Sequence, residues 1–205
     1  MKTLPLALET FLLYLLPPLS IVTGYVPKVA VMPLLWIVTL YAYITLRRAK
    51  SFELLFHFDR REMGIILKRF AVIAPMLGAF TWLFYPDLLF TFIKQHFMFW
   101  LLVMLLYPLL SALFQEIIFR AFFEYRFGRV IKNRELFLIF NALLFAYIHT
   151  VFGNAIAVTF SFLGSLLFMT TYRQSRSVLM STIEHGLYGD LIFTLGIGHF
   201  FYHGA

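Results

Sequence analysis

A few ionisable side chains lie inside long apolar segments, where a charge is costly and marks a candidate functional site. They are Glu116, Arg120 and Glu124 in one segment, His149 in a second, and Glu184, His185 and Asp190 in a third. A carboxylate beside an imidazole can activate water, and a second imidazole can donate to an oxyanion. We therefore interpret Glu116 and His149 as the residues that activate water and His185 as the oxyanion donor, which is the chemistry of a hydrolase.

The spacing of Glu116, Arg120 and Glu124 is i, i+4, i+8, which predicts one shared helix face and lets Arg120 neutralise Glu116. Two structural alternatives stay open on these residues alone. The pair of Glu116 and Arg120 could simply hold a helix bundle together. His149 could be a packing residue whose ring nitrogens bond to backbone carbonyls.

The same residues also allow a metal site, which stays open beside a metal-free mechanism. One oxygen of Glu116 and one nitrogen each of His149 and His185 could bind zinc and leave a position for water. The HExxH spacing of many zinc proteases is absent, so no cofactor is certain and zinc is only the candidate. The sequence has no cysteine and no GxSxG, so it offers no thiol nucleophile and no support for a serine one.

The elements that must position these residues are transmembrane helices. The chain of 205 residues is 61% hydrophobic and 13% charged, whereas a soluble domain carries about 25% charged residues. A bilayer core takes about 20 apolar residues as helix. Pro108 is predicted to bend the long fourth span, and the segment Phe52–Phe58 is predicted to lie at the membrane interface. We predict an all-α, polytopic bundle of about seven helices in a single domain, 1–205, with spans near residues 6–25, 29–46, 66–85, 97–128, 135–152, 155–172 and 178–198.

The basic residues predict how this bundle is oriented. With the N-terminus in the cytoplasm, all of the 17 Lys and Arg residues except Lys28 and Lys94 fall on the cytoplasmic side, as the positive-inside rule requires. At about 1.5 Å per residue, Glu116 and His149 both lie about 20 Å from the predicted turn between their helices. His185 lies about 10 Å into its span by the same rise, so it must shift to join them. We predict that the three residues converge in the cytoplasmic half of the bilayer.

Three segments, in this order, resemble the motifs of a known family. The segment 115–120 reads Gln-Glu-Ile-Ile-Phe-Arg and resembles EExxxR, 145–149 resembles FxxxH, and 185–189 is similar to HxxxN. These are motifs of the CAAX protease and bacteriocin-processing (CPBP) family of intramembrane proteases, which includes type II CAAX prenyl endopeptidases and Abi-like proteins. The resemblance covers about residues 107–197, which we take as the motif-bearing protease core.

The resemblance implies a protease in which a motif-one Glu and the motif-two His activate water, while the motif-three His and Asn stabilise the oxyanion. Two positions depart from this pattern, since Gln115 replaces the Glu usually given the role of base and Gly189 replaces the Asn. A Gln side chain cannot accept a proton at neutral pH. Either Glu116 or Glu184 supplies the carboxylate, or the enzyme is weak or inactive. The supporting residues that we name are Gln115, Phe145, Glu184, Tyr188 and Asp190.

We therefore expect an intramembrane endopeptidase of the CAAX-protease type, glutamate-dependent or metal-dependent, that cleaves a membrane-associated peptide or protein near the cytoplasmic side. The alternative is a catalytically weak or inactive membrane scaffold or immunity protein of the same fold. A transporter or proton relay is disfavoured because the sequence shows no inverted repeat. The expected partners are a peptide or lipid-modified protein substrate and membrane lipids, without nucleic acid. The expected location is a bacterial plasma membrane.

Overall fold

The computed structural model describes residues 5–50 and 56–201, and within these ranges every regular element is helical. The helices are α1 (Leu6–Val22), α2 (Lys28–Arg48), α3 (Arg60–Phe84), the short α4 (Thr91–Gln95), α5 (Phe97–Phe127), α6 (Arg134–Phe152), α7 (Ala155–Ser175) and α8 (Val178–Leu195). Each predicted span corresponds to one long helix, which confirms the all-α bundle. The predicted interfacial segment lies mostly at 51–55, outside the described residues.

Five of the helices in the described ranges, α2, α3, α5, α6 and α7, are long and apolar enough to cross a membrane. The protein is therefore an integral membrane protein. Helix α1 is apolar but shorter. Helix α8 lies outside the set of five, and it carries Glu184, His185 and Asp190, whose side chains lower its hydropathy. A long helix outside the set of five is thus one that carries candidate site residues.

Consecutive long helices alternate in direction, so the bundle has two distinct ends. The basic face is the end defined by Arg48, Arg60, Arg126, Arg134 and Arg173. The opposite face is formed by the connections 23–27, 85–90 and 153–154 and by residues 196–201. Side-chain caps begin four helices, and the capping residues are Asp59, Asn133, Asn154 and Ser177. Each side-chain oxygen accepts from a backbone N–H that would otherwise lack a partner at the helix start.

Helix α5 contains two π-helical segments, which change where its side chains point. Pro108, which was predicted to bend the helix, begins the first segment, Pro108–Ala112, and the second is Ile117–Phe122. A π-helical turn takes in an extra residue, and such turns are frequent at functional sites. As a result Glu124 does not join Glu116 and Arg120, contrary to the i, i+8 prediction. Its carboxylate instead lies 3.5 Å from Arg173 Nε and 3.3 Å from Arg176 Nη1.

Carbonyl groups within these segments accept side-chain hydrogen bonds from neighbouring helices. The indole Nε1 of Trp36 donates to the carbonyl of Leu110 at 3.0 Å, and the hydroxyl of Tyr14 donates to the carbonyl of Ile118 at 3.3 Å. Polar contacts between helices of this kind stabilise an apolar bundle. They also fix α1 and α2 against α5.

Two glycines of α8 allow close contact with α5. A Cβ atom on Gly186 would lie 3.2 Å from the Cβ of Pro108, and one on Gly189 would lie 2.0 Å from Cε1 of Tyr107. Small residues at helix contacts let backbones approach closely in membrane bundles. This close approach brings the motif-one helix beside the motif-three helix.

Candidate active site

Glu116 and His185 meet in the interior of the bundle. Oε1 of Glu116 accepts a hydrogen bond from Nδ1 of His185 at 2.9 Å. Arg120 Nε donates to Oε2 of Glu116 at 2.8 Å, and its Nη2 donates to Oε1 at 3.3 Å. Glu116 and Arg120 are both fully buried. Because a carboxylate only accepts, Nδ1 of His185 is the donor of this bond, and in the neutral form of the ring this tautomer leaves Nε2 as an acceptor.

Arg120 links three helices through its guanidinium group. Nη1 donates to Oδ1 of Asn141 on α6 and to the hydroxyl of Ser165 on α7, the latter at 3.0 Å. Its Cζ lies 5.1 Å from the ring centroid of Phe145 and 5.7 Å from that of Phe168. A buried charge is tolerated only when it is paired and hydrogen-bonded in this way. Asn141 and Ser165 were not predicted as site residues, and their only signal is a polar side chain in an apolar helix.

The second nitrogen of His185 also has a partner. Nε2 lies 3.0 Å from the hydroxyl of Tyr107, which donates to it in the tautomer set by Glu116. The imidazole stacks on Phe168 with ring centroids 4.5 Å apart and an angle of 16° between the planes. The ring is therefore fixed in position and in tautomer. Tyr107 is a residue of this site that sequence reasoning missed, because a tyrosine in a span usually indicates packing.

His149 lies at the end of α6, where the helix tightens into a 3-10 turn before Gly153 adopts a left-handed conformation. Its Nδ1–H donates to the carbonyl of Phe145 at 2.7 Å, so Nε2 is the acceptor nitrogen of the neutral ring. The Phe145 ring lies between the two imidazoles, 4.7 Å from His149 and 5.8 Å from His185 by centroids. The packing interpretation of His149 accounts for one ring nitrogen and leaves the other available.

A cavity of about 1810 Å³ brings three motif residues to one surface. Gln115, His149 and His185 all line it, together with Tyr107 and Ser111. Most of the remaining wall is apolar and comes from all seven long helices. Glu116 and Arg120 are not among the lining residues, so the acid that was predicted to act on water lies behind the cavity wall.

The cavity extends to the opposite face of the bundle, away from the basic face. Its polar lining residues at this end are Lys28, Asp87, Gln95, His96 and His199. The arginines that define the basic face do not line it. The connection of the cavity to solvent therefore lies on the side of the α1–α2 and α3–α4 connections and the end of α8, and His149 lies towards this face of the bundle.

Gln115 occupies the cavity wall at the position where the family pattern has a Glu. Its Nε2 donates to the hydroxyl of Ser111 at 2.9 Å. Its Oε1 is buried and has no hydrogen-bond partner among the described residues. Gln115 thus contributes to the wall with its oxygen turned away from solvent, and an amide at this position cannot take a proton from water.

The other supporting residues lie in different surroundings. Oε1 of Glu184 accepts from Arg69 at 3.0 Å, and its Oε2 accepts from the hydroxyl of Thr171, so it belongs to a separate ion pair near the basic face. The ring of Tyr188 lines the cavity, and its hydroxyl has no partner among the described residues. Asp190 is not among the lining residues. Arg69 was assigned only to topology because it lies near a predicted span end, and its partner Glu184 could not be foreseen.

The donors do not fit the zinc site that was considered. Both oxygens of Glu116, both nitrogens of His185 and Nδ1 of His149 are bonded to protein groups. Within the described part of the chain, no group of three His, Cys, Asp or Glu side chains is placed to hold a metal ion. A zinc ion would have to displace Arg120 or Tyr107 from these bonds.

An apolar helix bundle that buries a carboxylate–imidazole pair behind the wall of a cavity is compatible with the fold of an intramembrane protease. The family model described as type II CAAX prenyl endopeptidase Rce1-like matches residues 94–189, which include all three motifs. The resemblance to the CPBP family is confirmed over these residues. No curated protein and no solved structure gives a significant match to the chain.

Proposed function

We propose that the protein is an intramembrane endopeptidase that hydrolyses a peptide bond in its cavity, with His149 as the general base. The observation that carries this proposal is the convergence of Gln115, His149 and His185, from three helices, on one cavity within the family-matched region. The unprotonated Nε2 of His149 is the group on this wall best suited to take a proton from water.

The reaction needs only side chains of this wall. A water molecule gives one proton to Nε2 of His149, while its oxygen attacks the carbonyl carbon of the substrate. The carbonyl oxygen becomes an oxyanion on the side of the cavity where His185 lies. When the intermediate collapses, the C–N bond breaks and His149 returns the proton to the leaving amine. The products are a carboxylic acid and an amine, and no co-reactant other than water is consumed.

Glu116 has a different role in this proposal from the one expected from the sequence. Its carboxylate is fully buried, and both oxygens are bonded to Arg120 or His185. We assign it as a positioning residue that fixes the tautomer of His185 and neutralises Arg120. Breaking either bond would place an unpaired group in a low-dielectric interior, which disfavours direct proton transfer from water to Glu116.

The apolar wall favours a substrate that arrives with apolar surface, either a hydrophobic peptide or a lipid-modified protein. Access was expected from the cytoplasmic side. If the basic face is cytoplasmic, as the positive-inside rule predicts, the cavity opens to the outer face. We propose this outward opening, in a bacterial plasma membrane, with membrane lipids and the substrate as the partners.

Purified protein in proteoliposomes tests the proposal with a set of unmodified and prenylated hydrophobic peptides, the products being identified by mass spectrometry. We expect the wild type to release defined fragments and His149→Ala to release none while keeping its thermal stability. His57→Ala is the matched control, since this histidine lies near the basic face and does not line the cavity. Equal cleavage by wild type and His149→Ala would remove the mechanism.

One observation favours a second candidate function, a substrate-binding scaffold without hydrolysis. The motif-one residue on the cavity wall is Gln115, a neutral amide, and the acid next to it faces away from the cavity. A scaffold of this kind would retain a peptide in pull-down or fluorescence binding experiments and yield no fragment. Fragment release by the wild type would exclude it.

A further inference from the structure

Tyr107 is the hydroxyl group closest to the imidazole of His185 on the cavity side. It ends the regular part of α5 directly before Pro108, and it lines the cavity. Its O–H donates to Nε2 of His185 at 3.0 Å, and its ring lies edge-on to Phe193 at 5.5 Å. The phenol is thus held at the wall by a hydrogen bond on one side and by an aromatic contact on the other.

Gly189 leaves the space that this phenol occupies. A Cβ atom at position 189 would lie 2.0 Å from Cε1 of Tyr107 and 2.7 Å from its hydroxyl oxygen. No side chain larger than hydrogen fits there while Tyr107 keeps its position. In the motif that 185–189 resembles, this position carries an Asn, which the resemblance makes an oxyanion-stabilising residue. Tyr107 and a side chain at 189 are therefore alternative occupants of one volume.

The tautomer of His185 decides which group can donate. In the neutral imidazole the Nδ1 proton is held in the hydrogen bond to Glu116, so Nε2 has no proton to offer to an oxyanion. The hydroxyl of Tyr107 has a proton, lies 3.0 Å from Nε2 and belongs to a residue that lines the cavity. We propose that Tyr107 is the oxyanion donor of this chain and that Gly189 makes room for it. This assignment rests on the proposed protease function and extends it by one catalytic residue.

The proposed donor strengthens its interaction only during the reaction. At rest its hydrogen bond to His185 joins two neutral groups. When the oxyanion forms, the hydroxyl donates its hydrogen bond to the negatively charged oxygen and no longer to His185. Charge-assisted hydrogen bonds are roughly twice as strong as bonds between neutral groups. An interaction that is stronger in the transition state than in the ground state raises kcat and not substrate affinity. Removal of one such donor typically lowers kcat by about 10²–10³-fold.

The test compares Tyr107→Phe with the wild type in the proteoliposome cleavage assay. Phenylalanine keeps the ring and loses the hydroxyl, so we expect kcat to fall about 10²-fold or more while KM changes less than about threefold. Tyr172→Phe is the matched control, because this buried tyrosine of α7 does not line the cavity. A kcat within about twofold of the wild type, or a loss of thermal stability that parallels the loss of activity, would overturn the assignment.

A reciprocal swap tests the shared volume independently. Gly189→Asn alone should lose activity, because the new side chain collides with Tyr107. The double variant Tyr107→Ala with Gly189→Asn should be more active than either single variant, since the amide can then donate from the vacated space. If the double variant is no more active than Gly189→Asn alone, a side chain at position 189 does not replace Tyr107 as the donor, and the claim of a shared volume is overturned. If the wild type cleaves nothing, the proposed protease function itself is overturned. If the wild type cleaves and Tyr107→Phe cleaves equally well, only the role of Tyr107 is overturned.

Discussion

Nδ1 of His185 lies 2.9 Å from Oε1 of Glu116, on the far side of the imidazole from the hydroxyl of Tyr107. This contact orders a chain of hydrogen bonds that runs from Arg120 through Glu116 and His185 to the cavity wall. The ionised Glu116 and Arg120 are thus kept behind the wall, and His185 and Tyr107 are the members of this chain that line the cavity.

Glu116→Gln should destabilise the protein strongly, because Arg120 would remain as a buried and unpaired charge. Loss of one partner of a buried ion pair costs about 3–5 kcal/mol. Chemical unfolding in detergent measures this loss. The double variant Glu116→Met with Arg120→Met should regain much of the stability but not the kcat, since His185 would no longer be oriented.

Glu184→Gln is the matched control for Glu116→Gln. This carboxylate pairs with Arg69, whose side chain is 20% exposed, so water can partly replace the lost partner. We expect a smaller loss of stability and a kcat close to that of the wild type. Equal kcat losses in the Glu116 and Glu184 variants would contradict the separation of the two ion pairs.

His149→Ala should be inactive, and added imidazole should restore part of its activity. The cavity of about 1810 Å³ reaches the opposite face, so a free imidazole can enter and replace the missing ring. Initial cleavage rates measured against imidazole concentration give the degree of rescue. A stable His149→Ala variant with wild-type activity in buffer alone would show that another group takes the proton.

Gln115→Glu should raise kcat/KM by about tenfold or more. The new carboxylate would belong to a residue of the cavity wall and could take the proton from water directly. Gln115→Leu is the companion variant and should not raise kcat/KM, because leucine offers no proton acceptor. A lower kcat/KM in Gln115→Glu would indicate that the amide is required as it stands.

Chelation should leave the activity unchanged. The ring nitrogens of His185 and the carboxylate oxygens of Glu116 are occupied by protein partners, so the proposed reaction needs no metal ion. The test measures cleavage rates before and after dialysis against 1,10-phenanthroline, and again after zinc is added. These rates show whether cleavage depends on a metal ion. Loss on dialysis with recovery on zinc addition would show that these bonds are exchanged for metal ligands.

Cysteine labelling should place the cavity opening outside the cell. The sequence contains no cysteine, so a single introduced cysteine is the only thiol that the reagent can label. We expect Asp87→Cys, at the cavity opening, to react with a membrane-impermeant maleimide in intact cells, and Arg129→Cys to react only after lysis. The reverse pattern would restore the cytoplasmic access that was expected from the sequence.

The helices could be predicted from the sequence because hydrophobic length and basic flanks define them directly. The predicted span 155–172, for example, corresponds to Ala155–Ser175. The meeting of Glu116 with Arg120 followed from the i, i+4 spacing. The side of α5 that faces the cavity could not be predicted, because Gln115 and Glu116 are adjacent and the π segments change the local rotation.

Tyr107 shows a second limit of sequence reasoning. Its role depends on the absence of a side chain at Gly189, on another helix, and on the tautomer that Glu116 imposes on His185. None of these relations is local in the chain. The substitution at position 189 was visible as a departure from a motif, but the residue that fills its space could be identified only from the packing of α5 against α8.

The guanidinium of Arg120 bonds to α5, α6 and α7, and Glu116 extends the linkage to α8. Moving any of these four helices away from the others would break a buried hydrogen bond to the Glu116–Arg120 pair, so all four are linked through this pair. The cavity wall contributed by α1–α3 is mainly apolar, through side chains such as Leu13, Leu35 and Met76. These three helices therefore offer a substrate mainly apolar contact, whereas the groups that we propose to react are carried by the linked helices.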